Sequence, residues 1–539
     1  MENNNEKREL KFKKGKKEIF ERLLADFNTL TNEYSVNAKF KKVYSNTEII
    51  EEFNTYLKNK DINHLVDWVR TNLASIQKRN LGIVGENLEN LKKTPEIFKF
   101  IEEKKFNETN LPKGFGSTGV LSPILHFRNH KKYAIINGIA FNLLSAFFDD
   151  YNVTNNWENY EESSNFIIEV GKVIKGDKKD DIAETIYFDR FAHWFSKKYG
   201  SHEIDTLNTV FYGPPGTGKT YSVNKRLEFL LSGIPKDDKL KYMKNVVFHP
   251  NYAYEDFIDG VKPRGFTENK QIKLELVNGH FKEFCIKVHR ANLEFLDAKE
   301  DANKELPKYY FVVDEINRAN LSAVFGETLM LLEDSYRYKY FNEGGVKIDE
   351  QMNKDAGRLI TLKNSALCTI KENWFEKIDD EVLFGIPENI YFIGMMNDVD
   401  KSIDSFDLAL RRRFAWKEMK CDFNALSDEL EKYNKKEVFI ECCENLNKFI
   451  INKDKLGLSE SFQFGHAIYM NITKCLKSKQ PIKESNSKDF FQKYISGTLK
   501  EYLRTEYPEN EIQGKLKDAE EEFLKPFTTI KSKSKNGQV

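Results

Sequence analysis

Long hydrophobic runs are missing from this sequence of 539 residues. None reaches the roughly 18 apolar residues that mark a membrane span, so no membrane partner is expected. The opening residues, Met1-Glu-Asn-Asn-Asn-Glu-Lys-Arg8, are polar and charged, which argues against a secretory leader. Cysteine is scarce: the six residues are scattered, and only Cys442 and Cys443 are adjacent. No pair has zinc-ligand or redox spacing, so reduced thiols in a cytoplasmic protein are the expectation. Charge of one sign is lacking too, because 84 Lys and Arg balance 84 Asp and Glu. Global charge therefore gives no sign of a nucleic-acid partner. Local clusters remain at Lys11, Lys13, Lys14, Lys16 and Lys17, and at Lys531, Lys533 and Lys535. They are either solvated ends or phosphate contacts.

Internal repeats and long low-complexity stretches are also absent. Apolar residues make up 40% of the chain, enough for real cores, and the length suggests about three domains. Residues 1–195 read mainly as helix, for example over Ile19–Phe27 and Ile136–Phe148, with a Gly/Pro/Ser-rich break at Leu111–Gly119. From Thr209 the pattern changes. Short apolar runs at Thr209–Tyr212, Asn245–Phe248, Tyr309–Val313, Ile390–Gly394 and Phe414–Lys417 alternate with helical periodicity. Strands separated by helices imply an α/β fold, a parallel sheet with flanking crossover helices. Beyond about residue 420 the pattern is helical again. The expected layout is a mainly helical N-terminal region (1–195), a nucleotide-binding core (196–420), and a helical lid with a C-terminal tail (421–539).

The run Thr209–Tyr212 leads straight into Gly213-Pro-Pro-Gly-Thr-Gly-Lys-Thr220, and a helical pattern follows from Tyr221. Strand, glycine loop and helix are the context that a phosphate-binding loop requires. Gly213, Gly216 and Gly218, with Pro214, Pro215 and Thr217 between them, let backbone N–H groups turn inward around phosphate oxygens. The helix beginning near Tyr221 presents its positive end to the same phosphates. Lys219 can reach the β- and γ-phosphates, and the Thr220 hydroxyl can hold Mg²⁺.

The apolar run Tyr309–Val313 ends in Asp314-Glu315, about 95 residues after the loop. Asp314 is expected beside Mg²⁺, through its water shell. Glu315 is expected to polarise the attacking water as general base. Asn317 and Arg318 follow, and Arg318 either faces a neighbouring subunit or forms a local ion pair. A second strand, ending Met395-Met-Asn397, points a polar residue at the same crevice, which makes Asn397 a candidate for orienting that water. Next come Asp398-Val-Asp400, and then Arg411-Arg412-Arg413 before Phe414. Three consecutive arginines are costly to bury unpaired, so they form either a solvated turn or an anion contact. In ring ATPases such arginines stabilise transition-state charge in the neighbour's site.

These segments resemble the McrB family, the AAA+ NTPase subunits of McrBC-type, modification-dependent restriction systems. The resemblance covers roughly residues 205–470. It rests on Gly213–Thr220, Phe248–Phe257, Asp314-Glu-Ile-Asn-Arg318, Met396-Asn-Asp-Val-Asp400, Ala409-Leu-Arg-Arg-Arg-Phe414 and Phe462-Gln-Phe-Gly-His466. It implies an AAA+ core with a helical lid, and a hexameric homo-oligomeric ring that hydrolyses GTP at its subunit interfaces. It also implies a separate McrC-like nuclease subunit, and an N-terminal region that reads DNA, possibly modified. Asn397 and Asp400 fall on the family's signature asparagine and aspartate, and Arg412 and Arg413 on its interface arginines. Lys401 departs from the pattern, because an arginine is usual there. The first 195 residues do not look like the DNA-binding domain of the best-known member.

A related reading is an ATP-driven remodelling chaperone of the MoxR kind. It shares the loop and the acidic strand end, whereas Met396–Asp400 and Phe248–Phe257 favour the McrB reading. A scaffold with a dead nucleotide site is disfavoured by the presence of Lys219, Thr220, Asp314, Glu315 and Asn397 together. No strand-borne nuclease set and no His/Cys metal cluster is evident in the sequence. The Asn-Lys-x-Asp element that small GTPases use to bind guanine is absent, so the choice of GTP over ATP rests on the resemblance.

Overall fold

The computed structural model describes residues 10–13, 16–29, 44–68, 98, 118–149, 153–154, 157–199, 204, 206–231, 234, 238–266, 270–297, 306–342, 345–399, 408–476 and 480–536. The chain divides into two compact units. One comprises Met1–Glu203 with Asn224–Gly233, and the other Ile204–Val223 with Ile234–Val539.

The first unit is helical among its described residues. Its helices are Lys17–Asn28, Thr47–Asn59, Ile62–Trp68, Thr118–Arg128, Gly138–Phe147, Tyr160–Lys175 and Glu184–Tyr199. The first of them buries Ile19, Phe20, Leu23 and Phe27, a one-face stripe at helical spacing. Asn46 and Asn137 cap two others, each side-chain oxygen accepting from two backbone N–H groups that helix geometry leaves unpaired. The core is aromatic: Phe147 packs edge-on to Phe20 and Phe229, and Phe191 edge-on to Phe20 and Phe27. Residues 111–117 of the predicted break lie outside the described residues, and Thr118 and Gly119 open a helix rather than ending one.

Among its described residues the second unit holds nine strands: β1 (Asn208–Gly213), β2 (Met243–Val247), β3 (Asp259–Phe266), β4 (Ile272–Asn278), β5 (Tyr309–Asp314), β6 (Glu376–Ile378), β7 (Glu381–Leu383), β8 (Ile390–Asn397) and β9 (Ala415–Glu418). Five form one parallel sheet in the order β2-β5-β8-β1-β9. These are the five apolar runs of the sequence, and β1, β5 and β8 are almost wholly buried, as strands covered on both faces must be. The antiparallel pairs β3–β4 and β6–β7 are additions that the alternation did not reveal. The β3–β4 ribbon carries Pro263 and Gly265 and leaves most of its side chains exposed, so no buried apolar run marks it.

Two separate apolar cores build this unit. One lies around the sheet, with Phe257, Phe281, Phe311, Phe325 and Phe392 in mutual ring contact. The other is formed by the helices after residue 420, among them Lys436–Ile451, Ser496–Arg504 and Glu509–Asn536, around Phe439, Phe490 and Phe523. Among the described residues, no helix is long and apolar enough to cross a membrane.

Candidate active site

In an open parallel sheet, ligands bind beyond the carboxyl ends of the strands, where the strand order reverses. Here that point is β1, which lies between β8 and β9. The register sets Gly213 at the end of β1 beside Asn397 at the end of β8, and Val313 of β5 beside Gly394. The phosphate loop, the acidic pair and the terminal asparagine therefore leave the sheet at one edge.

Within the loop, Gly216 has φ +75°, a left-handed conformation that side chains disfavour. Lys219 is buried and turned inward. Its ammonium donates to the carbonyls of Gly213 (2.9 Å) and Pro214 (2.8 Å) and to Thr217 Oγ1 (3.3 Å). Tyr221, by contrast, is 66% exposed in the first turn of the helix Lys219–Leu230. The Thr220 hydroxyl donates to Asp314 Oδ2 over 3.4 Å. A hydroxyl and a carboxylate side by side are the hard-oxygen donors that suit Mg²⁺, which keeps most of its waters. The expected metal pair thus fits the ion by the chemistry of its donors.

Glu315 sits at φ +53°, ψ +43° immediately after β5. A non-glycine residue held there stores about 1–3 kcal/mol of strain, the kind that gathers at functional sites. Its carboxylate has two partners: Asn397 Nδ2 donates to Oε1 (3.3 Å), and Arg318 Nε donates to Oε2 (3.2 Å). Asn317 Nδ2 donates in turn to the Asn397 carbonyl (3.2 Å). Within this chain Arg318 forms an ion pair with Glu315.

Asp398 has a place here that the sequence did not single out. Its Oδ1 accepts from Gly213 N–H (3.1 Å), and its own N–H donates to the Gly213 carbonyl (3.3 Å). Burial raises its carboxyl pKa above the ordinary value, against the lowering effects of that amide and of Lys219. Asp400 and Lys401 lie outside the described residues.

The motif Phe462–His466 lies directly on the phosphate loop. Gly465 N–H donates to the Pro215 carbonyl and Ala467 N–H to the Gly216 carbonyl, both at 2.9 Å. The approach is so close that a Cβ on Gly465 would meet the Gly216 carbonyl carbon at 2.1 Å. His466 Nδ1 accepts from Asp422 N–H (3.1 Å), which leaves the ring proton on Nε2, and Nε2 faces Gly218. Burial lowers the His466 pKa.

Arg412 and Arg413 approach one carboxylate. Arg413 Nη2 is 2.8 Å and Arg412 Nη2 3.7 Å from Glu333 Oε1. Their exposures differ: the Arg412 side chain is 68% exposed and that of Arg413 is 9%. Arg411 lies over the Trp416 ring, 5.3 Å from its centroid.

Residues 208–414 match the family model described as AAA domain (dynein-related subfamily). Over 268 residues the chain is 35% identical to the Type IV methyl-directed restriction enzyme EcoKMcrB subunit of Escherichia coli (strain K12), covering 49% of this chain and 47% of that protein. Over 235 residues it is 25% identical to the Type II restriction enzyme BsuMI component YdiS of Bacillus subtilis (strain 168), covering 42% of this chain and 59% of that one. The chain thus spans about half the length of the curated relatives it matches.

Proposed function

We propose that this chain, an McrB-like AAA+ protein with a nucleoside-triphosphatase core, hydrolyses GTP as the motor subunit of an McrBC-like restriction system. In this reading it forms a ring, probes DNA through its N-terminal region, and drives a separate McrC-like nuclease subunit. The observation that carries the hydrolytic part is the Glu315 carboxylate held by Asn397 at the strand edge where the phosphate loop begins.

The loop amides and Lys219 hold the β- and γ-phosphates. Thr220 and Asp314 would hold Mg²⁺, which neutralises phosphate charge when bound. Glu315 takes the proton of the attacking water, and Asn397 keeps the carboxylate turned toward that water. Asp398 fixes the first amide of the loop, and Gly465 and Ala467 tie the loop to the lid. Arg412 and Arg413 act in trans on the charge that develops at the neighbour's γ-phosphate, and Asp400, which matches the family's signature aspartate, belongs to the catalytic set.

The experiment is hydrolysis by the purified full chain, with GTP and ATP measured side by side. GTP turnover well above ATP turnover is expected. Hydrolysis of ATP with none of GTP would replace this reading with a remodelling ATPase of the MoxR kind.

A further inference from the structure

Glu333 follows a short helical stretch, Gly326–Leu332, and lies outside every segment that suggested a nucleotide site. One of its carboxylate oxygens nevertheless faces both interface arginines, at 2.8 Å from Arg413 and 3.7 Å from Arg412. The backbone beneath this contact is fixed as well. Asn208 Nδ2 donates to the Leu332 carbonyl (2.7 Å) and to the Arg413 carbonyl (3.1 Å), so one side-chain amide pins the residue before Glu333 and the arginine itself.

Arg337 completes the arrangement. It is wholly buried, its Nη2 donates to Asn208 Oδ1 (2.6 Å), and its Nε donates to the Leu332 carbonyl (3.3 Å). Both acceptors are neutral, and burial pulls the guanidinium pKa down to about 10. A buried cation held by neutral oxygens is a poor source of stability. It is well suited to geometry, because its planar fork of donors reaches the Asn208 side-chain oxygen and the Leu332 carbonyl at once. Asn208 also opens β1, and the far end of that strand, Gly213, opens the phosphate loop.

We propose that Glu333 is the positioning residue for the interface arginines: seated on the Asn208–Arg337 clamp, it holds Arg413 and sets the direction in which exposed Arg412 leaves the subunit. The inference rests on the reading that these arginines act on a neighbour's nucleotide. The clamp gives that reading a structural link, since the strand that carries one subunit's phosphate loop also anchors the arginines it offers to the next.

The test is Glu333→Gln in the full chain, an isosteric change that removes only the charge. GTPγS affinity and assembly should match wild type, while GTP hydrolysis falls about 10²-fold, as expected when a transition-state group is misplaced by about an ångström. Glu333→Asp, which keeps the charge on a shorter arm, should recover part of the rate. Mixed with Lys219→Ala chains, Glu333→Gln chains should regain activity, because some interfaces then join an intact loop to an intact arginine pair. Mixed with Arg413→Ala chains they should not, because neither chain then presents the arginine pair in its place.

Near-wild-type hydrolysis by Glu333→Gln overturns the proposal. So does loss of GTPγS binding or assembly, which makes Glu333 part of the fold, and so does the opposite mixing pattern, which puts Glu333 in its own subunit's site. The controls are Arg412→Ala and Arg413→Ala chains mixed with Lys219→Ala chains. If neither regains activity, the trans reading itself falls, an outcome distinct from a failure of Glu333→Gln alone.

Discussion

Asn397 Nδ2 lies 3.3 Å from Glu315 Oε1, joining the ends of two neighbouring strands of the sheet. The other oxygen of the same carboxylate accepts from Arg318. A carboxylate held at both oxygens is oriented before any water reaches it. Protonation of either oxygen removes the negative charge and so weakens the bond to Arg318.

Glu315→Gln keeps the shape and the bond to Asn397 but cannot take a proton. Hydrolysis should fall by about 10²–10⁴-fold, the usual contribution of a general base, while nucleotide remains bound. The check is single-turnover hydrolysis alongside equilibrium binding of the same nucleotide. Loss of binding together with turnover would make Glu315 a metal ligand or a structural residue.

Lys219→Ala removes the ammonium that sits inside the loop against the carbonyls of Gly213 and Pro214. Hydrolysis should be abolished and nucleotide affinity reduced, both measurable by titration and turnover. Wild-type turnover would end the assignment of this loop as the phosphate site.

His466 links pH to the seam between lid and loop. Its folded pKa is lowered, so below the ordinary histidine value of about 6.5 the unfolded chain binds more protons than the folded one. Stability is therefore complete above that pH and is lost as pH falls through it. His466→Asn keeps an acceptor for Asp422 N–H without a titrating ring. The fall in Tm between pH 7.5 and 5.5 should be smaller in the variant, the other histidines being common to both proteins. Equal slopes would show that His466 is not part of this dependence.

DNA binding by the full chain should depend steeply on salt if phosphate contacts drive it. The logarithm of affinity falls by about 0.9 per contacted phosphate for each unit in the logarithm of salt concentration. Fluorescence anisotropy over a salt series measures the slope. Salt-independent or undetectable binding would point to a protein-recognition role for the N-terminal region.

The five sheet strands were legible because each is an apolar run bounded by polar residues, as Tyr309–Val313 before Asp314 shows. The phosphate loop was legible because its glycine spacing is local. The β3–β4 ribbon was not, since Val261, Phe266, Ile272 and Leu274 are exposed residues separated by charged or small ones, and no continuous apolar run marks it. Nor were the pairings of Asp398 with Gly213, Glu333 with Arg413, and Gly465 with Gly216. Each joins residues at least 80 positions apart, and a local window carries no trace of such a partner. The motif Phe462–His466 carried a family resemblance but no hint that its glycine lies against the loop.

The joint between lid and loop includes two main-chain hydrogen bonds and a gap too narrow for a methyl group. Main-chain groups are the same in every residue except proline and are untouched by truncating a side chain. Replacing the exposed side chains of the lid one by one with alanine would therefore leave this joint intact and score the region as silent. Ala467→Pro, which deletes one donor, and Gly465→Ala, which fills the gap, are the changes that reach it. Any rotation of the Pro215–Gly216 peptide when phosphate arrives is felt by the lid directly, through main-chain atoms.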